Sequence, residues 1–386
     1  MPDYTIHSKY ATVIALDQHA RSVTASAIDL STGESRSTRM TNCPSAEQIV
    51  SWVTSWATKP MRFAYESGPC GFQLARDIRT LGCDCDVIAV SSIPRSTEAK
   101  RMKDDRNDAN SLLEALINPK SKCKAVWIPS ESAEAARDLV RAYYDSVQAT
   151  KVLKLQTSAM LLRHGFIWNE RTPAGNLRVA WTRQYIAWAK SVELPEEAER
   201  STLKFYIEST LTNLERCNEI RKKVLELAES PRFKPYVDAL TRLKGVDDVT
   251  ALAYCATVDD FSRFKRGRSV SRYFGLVPTR SDSGEKTGHN GPITKAGDTT
   301  VRRAVIEGIA SIPNFNSVPK WERKGHEVSV AIEAEAIKCN QRNRSRYRDM
   351  VKAGKKPNVA KVAVASEMVR QMWVLGMLAA NEQTKG

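Results

Sequence analysis

The sequence predicts an α/β domain with a mixed sheet at the N-terminus, followed by a long, mainly helical region. Residues 11 to about 130 alternate short apolar runs with amphipathic stretches, a pattern typical of strands alternating with helices. Residues 131–165 and 200–230 carry apolar side chains at three- and four-residue steps, as long packed helices do. A chain of 386 residues is long enough for two or three domains.

The N-terminal elements follow from apolar runs, turn residues and caps, with Gly33 in the first turn, Ser45 as a helix cap and Pro119 after the last helix. Strands are predicted over 11–17, 22–29, 35–40, 61–66, 84–90 and 125–128, and helices over 45–57, 71–81 and 108–118. Three hairpin-linked strands followed by helix-separated ones give the ribonuclease H arrangement, in which the first and fourth strands end at the active-site edge.

The chain divides into three predicted domains: 1–130, 131–235 and 236–386. In the second, the two long apolar stripes form either one antiparallel hairpin or a seam between copies of the chain, and a connector over 165–197 carries a short helix. In the third, the turn around Gly245 resembles a helix-hairpin-helix unit. Such a turn either binds a phosphate or only packs, and Asp247 would repel a phosphate. Helices are predicted over 300–312 and 359–378, the last one in the core.

The charge is strongly positive, because 59 Lys and Arg residues face 44 Asp and Glu residues, for a net charge of +15. From Pro231 to Gly386 we count 28 basic and 16 acidic residues, so this part is expected to bind a polyanion such as nucleic acid. Eight scattered cysteines and five unclustered histidines argue against structural zinc and disulfides. We see no signal peptide and no uninterrupted apolar run of membrane length, which indicates a soluble, intracellular protein.

Four carboxylates form the candidate metal site. Asp17 and Glu66 end two predicted strands, and Asp105 and Asp108 stand three residues apart at a helix start. Acids gathered in this way repel one another unless a cation neutralises them. Their hard oxygen ligands suit Mg²⁺ or Mn²⁺, and such ions catalyse phosphodiester chemistry.

A Gly-rich loop that ends at Gly297 carries the candidate nucleophile. Ser283, followed by Gly284, is our choice, because a flexible loop could bring its hydroxyl to a scissile phosphate. Spacing does not exclude Ser281, and His289 is the histidine near enough in sequence to assist.

Basic residues near the loop and in a later cluster are the candidate nucleic-acid contacts. Lys295, Arg302 and Arg303 follow the loop and could neutralise phosphates. The cluster is denser than an ordinary helix face tolerates, and we expect a nucleic-acid backbone to relieve its repulsion. Its members include Lys338, Arg342, Arg344, Arg346, Arg348, Lys352, Lys355 and Lys356.

Taken together and in order, several motifs resemble those of the IS110 family of insertion-sequence transposases, which includes the Piv pilin-gene invertase. The resemblance runs from about Thr12 to Leu378. Its pieces are Ala15-Leu-Asp17, Tyr65-Glu-Ser-Gly68, Lys103-Asp-Asp-Arg-Asn-Asp-Ala109, Arg163-His-Gly165, Phe274-Gly-Leu-Val-Pro278, Ser283-Gly284, Thr294-Lys-Ala-Gly297 and Arg302-Arg303.

The resemblance implies a RuvC-like DEDD domain, a coiled-coil insertion and a C-terminal transposase domain, in a prokaryotic cytoplasmic protein. It implies that Asp17, Glu66, Asp105 and Asp108 bind magnesium, and that Ser283 attacks DNA to form a phosphoserine link. It further implies dimers that pair into a tetramer on donor and target DNA, and a structured non-coding bridge RNA as guide. Asp104, where Thr is frequent, and Asp247, in place of a hairpin Gly, depart from the family pattern.

Three other functions compete with a DNA recombinase. A RuvC or ribonuclease H-like nuclease would cut branched DNA by water attack, with Ser283 idle. A sugar kinase or actin-like ATPase also ends its first strand in Asp, but we find no Gly-rich phosphate loop after a later strand. A non-catalytic nucleic-acid-binding protein would share the basic surface alone.

Overall fold

The computed structural model describes residues 9–94, 105–283, 286–312 and 325–384. The chain forms two compact units, Met1–Pro129 and Ser130–Gly386. The finer division into three domains stays a prediction.

The first unit is built on a mixed sheet of five strands with helices, as predicted. Its sheet order is β3-β2-β1-β4-β5. Strand β2 pairs antiparallel with β1 and β3, whereas β4 pairs parallel with β1 and β5. The strands are β1 (Thr12–Gln18), β2 (Val23–Asp29), β3 (Ser35–Met40), β4 (Met61–Glu66) and β5 (Asp84–Ile88).

Three helices supply apolar side chains to the two faces of this sheet: α1 (Ala46–Thr54), α2 (Gln73–Thr80) and α3 (Asp105–Ile117). Successive residues of a strand point to opposite faces, so β1 contributes to both cores. Ile14 and Leu16 share one core with residues of α1 and α2. Val13 and Ala15 share the other core with leucines of α3. This alternation decides which layer each strand-end side chain faces.

Most predicted elements are present, but several boundaries differ, and α1 ends at Thr54, before its predicted end at 57. Ser45 caps α1 in a capping box with Gln48, as expected. Helix α3 starts at Asp105, three residues before its predicted start. The predicted strand over 125–128 is a single bridge between Ile88 and Ala125. A short segment with one paired residue gains too few hydrogen bonds to extend as a strand.

Asp29 ends β2 as a fully buried carboxylate. The amides of Ser31 and Thr58 each donate to it at 2.8 Å. Hydrogen bonds from Thr58, first from its side chain and then from its amide, together with those from the Ser31 and Thr32 amides, lower the pKa of Asp29 to about 2. Charged Asp29 therefore stabilises the turn after β2 and the segment that leads into β4.

We expect Asp29→Asn to lower the free energy of unfolding at pH 7 by about 1.5–3 kcal/mol, the range for hydrogen bonds to a charged group. The pKa of Asp29 is about 2 in the folded protein and near 4 in the unfolded chain. The charged carboxylate therefore stabilises the fold fully above about pH 4, and this contribution is lost as pH falls through about 2. The deficit should therefore shrink between pH 7 and pH 3. Urea titrations followed by circular dichroism measure it. Glu34→Gln, at an exposed ion pair with Arg36, is the control, and a deficit independent of pH would refute this explanation.

The second unit is mainly helical, as predicted, with one two-stranded hairpin. Its elements are α4 (Glu131–Arg163), α5 (Arg183–Ser191), α6 (Glu197–Ala228), α7 (Lys234–Leu240), α8 (Asp248–Val258), α9 (Gly267–Tyr273), β6 (Pro278–Ser283), β7 (Lys286–Ile293), α10 (Thr299–Gly308), α11 (Val330–Lys352) and α12 (Pro357–Gln383).

The long helices α4 and α6 pack along each other, antiparallel, within one chain. Val140 near the start of α4 shares a core with Val224 near the end of α6. At the other ends, Met160 shares a core with Leu203. Midway, the Asn213 side-chain amide donates to the Thr150 hydroxyl at 2.6 Å. A polar pair of this kind between packed helices fixes their register. Of the two arrangements expected for the stripes, the hairpin within one chain is the one observed.

Helix α12 is the central helix of the C-terminal core. Its length and a mean hydropathy of 1.2 over 18 of its residues would also suit a membrane span. However, 56% of that 18-residue stretch is buried inside the protein. It contacts α7, α9, α10 and α11, and Val364, Met368 and Met372 are fully buried. A core helix has the same composition, so α12 is weak evidence for a membrane span.

Candidate active site

Asp17 and Glu66 lie side by side at one edge of the sheet. Asp17 is the second-last residue of β1 and Glu66 is the last of β4. Leu16 pairs with Tyr65 in the parallel register of these strands, so the two acids occupy the next position along. Neighbouring strands are roughly 5 Å apart. The backbone therefore places these two acids next to each other at this edge, while their role as metal ligands stays a prediction.

Both acids face the layer that contains α3. Val13 and Ala15, which alternate with Leu16 in β1, pack with the leucines of α3, and Asp17 continues their side of the strand. Ala64, two residues before Glu66, belongs to the same core. The two carboxylates thus project toward the side of the sheet on which α3 lies.

The structure describes only part of the predicted pair of acids on α3. Asp105 is the first residue of α3, but its side chain is outside the described part of the structure, and Asp108 is half-buried. Among the side chains that are described, no three His, Cys, Asp or Glu residues are grouped closely enough to hold a metal ion. The structure therefore brings Asp17 and Glu66 together but does not add Asp108 to them, and the four-acid site stays a prediction.

The donor set at this edge nevertheless fits a hard divalent cation. The two carboxylates offer the oxygen ligands that Mg²⁺ and Mn²⁺ prefer. Thr24 pairs directly with Asp17 across β1 and β2 and is 1% exposed. Among the described residues its hydroxyl oxygen has no hydrogen-bond partner. A buried hydroxyl without a protein partner beside two carboxylates leaves a hydrogen-bonding position that a bound polar group can use.

His19 is a neighbour that the sequence reasoning missed. Its Nε2 lies 3.1 Å from the Asp17 Oδ2, and its side chain is half exposed. With a proton on Nε2 the ring donates to the carboxylate. The available signal was its position two residues after Asp17, which places both side chains on one side of an extended backbone. The imidazole can hold the Asp17 carboxylate in one orientation.

The turn after β4 is anchored by the residue before Glu66. Tyr65 is buried on the opposite face of the sheet, and its hydroxyl donates to the carbonyl of Gly71 at 3.0 Å. Burial raises the pKa of Tyr65, so the hydroxyl stays protonated and keeps this bond. The motif Tyr65-Glu-Ser-Gly68 therefore combines an anchor with a carboxylate that faces the other way.

Ser283 lies on a hairpin, not on the flexible loop that we expected. The strands β6 and β7 pair antiparallel, with Ser281 opposite His289 and Ser283 opposite Lys286. The loop expectation was wrong because cross-strand backbone hydrogen bonds stabilise this polar segment without an apolar pattern. The side chains of Ser281, Ser283 and His289 are outside the described part of the structure, so the choice of nucleophile stays a prediction.

Two glycines make the base of this hairpin possible. Gly275 has φ +65°, and a Cβ added there would meet the Ala296 backbone at 2.3 Å. Gly297 has φ +71°, and its added Cβ would meet the Tyr273 carbonyl at 2.0 Å. Two backbone segments therefore touch where β7 leaves the hairpin, which explains the glycines of the motifs around 275 and 297.

Arg302 is a buried side chain that links the two backbone segments at the base of the hairpin. It is 8% exposed, and its Nη1 donates to the carbonyls of Phe274 at 3.2 Å and Ala296 at 2.8 Å. Lys295 and Arg303 are exposed. The structure thus gives Arg302 a structural role in holding the hairpin, while a nucleic-acid contact by any of the three stays a prediction.

Most of the basic cluster lies on a regular helix, α11, which ends at Lys352, before Lys355 and Lys356, contrary to the expectation that its charge density would disfavour a helix. The reason is a buried carboxylate on α12. Glu367 is 5% exposed and pairs with Arg342 through the Arg342 Nε. Its Oε2 lies 3.1 Å from Arg346 Nη1 without a well-aligned hydrogen bond. Arg344 is half-buried and Arg348 is exposed, so the four arginines differ in their surroundings.

The turn around Gly245 has a packing role in this structure. Its Lys244 amide donates to the Asn340 side chain at 2.8 Å, and the Thr250 amide donates to Asp247 at 2.8 Å. These two N–H groups are therefore occupied within the chain. Asp247 is the N-cap of α8, which accounts for the acid in place of a glycine. These contacts favour packing over phosphate binding.

Comparison with known proteins adds the family context. A family model described as "Transposase IS116/IS110/IS902 family" matches residues 237–324, which include the hairpin. The protein y4qE of Sinorhizobium fredii, named as a transposase, is 33% identical over 317 residues, or 81% of this chain and 74% of y4qE. The transposase for insertion sequence element IS1533 of Leptospira borgpetersenii is 28% identical over 209 residues, or 54% of this chain and 58% of its own. The transposase for IS1111A of Coxiella burnetii is 26% identical over 215 residues, or 55% of this chain and 56% of its own.

Proposed function

The chain belongs to the IS116/IS110/IS902 family of transposases, and from this premise we propose that it cuts and rejoins insertion-element DNA through an acidic cation site and a serine nucleophile. The cation site consists of Asp17, Glu66, Asp105 and Asp108 on a RuvC-like domain, and the nucleophile is Ser283. The observation that carries the proposal is the pair of carboxylates at the ends of β1 and β4, on the side of α3.

The acids and the serine divide the chemistry between them. A divalent cation, Mg²⁺ or Mn²⁺, supplies Lewis-acid polarisation of the scissile phosphate when bound. Asp17 and Glu66 offer it two anionic oxygens, and His19 orients the Asp17 carboxylate. The neighbouring negative charges make this edge of the sheet unfavourable for a phosphate unless a cation is present.

Ser283 acts on the phosphate directly. A bond forms between its Oγ and phosphorus while the bond from phosphorus to a deoxyribose oxygen breaks, and the serine proton is transferred to the departing oxygen. The hydroxyl end of another strand then displaces the serine and regains the phosphodiester. Each step exchanges one phosphate ester for another, so rejoining needs no external energy source.

The proposal is tested by strand exchange in vitro. Purified protein, DNA containing the element ends and a target duplex are incubated with Mg²⁺ or EDTA, and junctions are sequenced. We expect precise joined products with Mg²⁺ and none with EDTA. Cleaved ends without joined products would instead indicate a RuvC-like nuclease that uses water.

We also propose a structured RNA guide and a homo-oligomer, dimers that pair into a tetramer. The basic helix α11 and the net charge of +15 support a nucleic-acid partner. Exposed apolar side chains of α4 and α6, such as Leu155, Leu162 and Phe205, support self-association. Sequencing of RNA that co-purifies with protein expressed from its flanking DNA tests the guide, and light scattering tests the mass. Active protein that contains no RNA would exclude the RNA guide. An active monomer would exclude the tetramer.

Arg348 is the arginine of α11 that we expect to contribute to nucleic-acid binding without a role in stability. It is exposed, whereas Arg346 lies beside the buried Glu367. Arg348→Ala should leave the melting temperature unchanged and reduce the slope of log affinity against log salt by about 0.9, one phosphate contact. Arg346→Ala should also lower the melting temperature, because it leaves Glu367 less compensated.

Fluorescence anisotropy with duplex DNA and with RNA at several salt concentrations measures these slopes. Lys222→Ala, at an exposed pair on α6, removes one positive charge elsewhere and serves as the control. An Arg348→Ala slope equal to that of the unmodified protein would contradict the assignment.

A further inference from the structure

Thr24 stands out among the buried hydroxyls of the five-stranded sheet. Thr12, Thr24 and Ser26 are each at most 1% exposed. The Thr12 hydroxyl donates to the Thr58 carbonyl at 2.7 Å, and the Ser26 hydroxyl accepts from Ser37 at 3.1 Å. Within the described residues, Thr24 alone of the three has no hydrogen-bond partner for its hydroxyl.

An orphaned hydroxyl in a strand interior carries a cost that sequence change could easily remove. Burial of an unpaired hydroxyl is unfavourable, and valine has nearly the same shape and suits a strand well. A buried hydroxyl that finds no partner within the described residues therefore points to a polar partner that is bound from outside the protein chain.

The position of Thr24 identifies that partner by its chemistry. Thr24 lies directly opposite Asp17 in the antiparallel register, and directly paired residues project to the same face of a sheet. Asp17 is in turn beside Glu66 on β4. Adjacent strands therefore place Thr24 and the two carboxylates at one level, on the side of α3, and Arg39 of β3 pairs with Thr24 from the side away from Asp17. A hydrated divalent cation carries water molecules that such a hydroxyl can bind.

We propose that Thr24 is a positioning residue of the cation site. Its hydroxyl binds a water molecule of the hydrated ion that Asp17 and Glu66 hold. The inference rests on the cation site of the proposed function and extends it to a residue on β2. The hydroxyl orients the ion's water shell and does not act on the DNA itself. Loss of the hydroxyl should therefore weaken cation binding without weakening the fold.

The test uses the full-length protein and Mn²⁺ alone, by isothermal titration calorimetry and by thermal melts in EDTA. We expect Thr24→Val to weaken Mn²⁺ binding about tenfold, the lower end for partners that orient a metal site, with a melting temperature in EDTA that is unchanged or raised. Thr24→Ser keeps the hydroxyl and should bind Mn²⁺ within about twofold of the unmodified protein.

Thr12→Val is the matched control on the neighbouring strand. It removes a satisfied hydroxyl, so it should lower the melting temperature and leave the Mn²⁺ affinity unchanged. Unaltered Mn²⁺ affinity in Thr24→Val, or an equal loss in Thr24→Ser, would overturn the assignment of Thr24 while leaving the cation site intact. If the unmodified protein binds no Mn²⁺, the cation site of the proposed function is overturned, and the role of Thr24 with it.

Discussion

Replacement of Ser283 by alanine is expected to abolish the covalent protein–DNA adduct and to reduce strand exchange at least about 10³-fold. A nucleophile that forms a covalent intermediate has no substitute within the site, and loss of such a residue removes most of the catalysis. Suicide DNA substrates with a nick near the cleavage position trap the adduct, which denaturing gels then detect. Mn²⁺ affinity should be unchanged, because the acids stay in place.

Ser281→Ala is the matched control for this experiment. Ser281 lies two residues earlier on the same strand, opposite His289, and its loss should leave adduct formation within a few-fold of normal. Adduct that persists in Ser283→Ala and disappears in Ser281→Ala would transfer the nucleophile to Ser281. Adduct that persists in both variants would remove the serine mechanism from the proposal.

The second large effect is expected for Asp17→Asn. Lewis-acid stabilisation by a bound cation contributes several kcal/mol to phosphoryl chemistry, so loss of an anionic ligand should slow cleavage on the order of 10³-fold. The fold should suffer little, because asparagine keeps an oxygen that accepts from His19 and the change removes a negative charge beside Glu66. The melting temperature in EDTA should stay the same or rise, and its increase on addition of Mn²⁺ should shrink.

Asp84→Asn separates the role of Asp17 from a general loss of negative charge. Asp84 begins β5 and is exposed, with Lys9 at 3.3 Å. Cleavage rates and Mn²⁺-dependent melts of both variants give the comparison. Normal Mn²⁺ stabilisation in Asp17→Asn, or equal losses in the two variants, would rule out Asp17 as a ligand.

Much of the first unit could be predicted because local signals agree with one another. The apolar runs that end in Asp17 and Glu66 are short, bounded and rich in residues that favour strands, so their ends are well defined. Acids at the ends of parallel neighbours must meet at one edge. The same reasoning could not place the side chains of Asp105 and Asp108 relative to the sheet, because a helix start is positioned by tertiary packing.

The features that escaped prediction depend on partners that are far away in the sequence. From the sequence alone Thr24 is an ordinary strand residue, and only the strand register shows that it lies opposite Asp17. Arg302 reads as a surface cation until the hairpin base encloses it. The basic run on α11 is tolerated because Glu367, on another helix, pairs with two of its arginines. Each case is decided by a contact that no local pattern records.

The central claim is that the acids of this chain hold a divalent cation at the edge of the sheet, and crystals soaked in Mn²⁺ test it most directly. Anomalous diffraction should show a Mn²⁺ peak about 2.0–2.3 Å from carboxylate oxygens of Asp17 and Glu66, with Asp105 and Asp108 completing the site. An anomalous map of active protein with no peak at these carboxylates, or with Mn²⁺ bound elsewhere, would contradict the account.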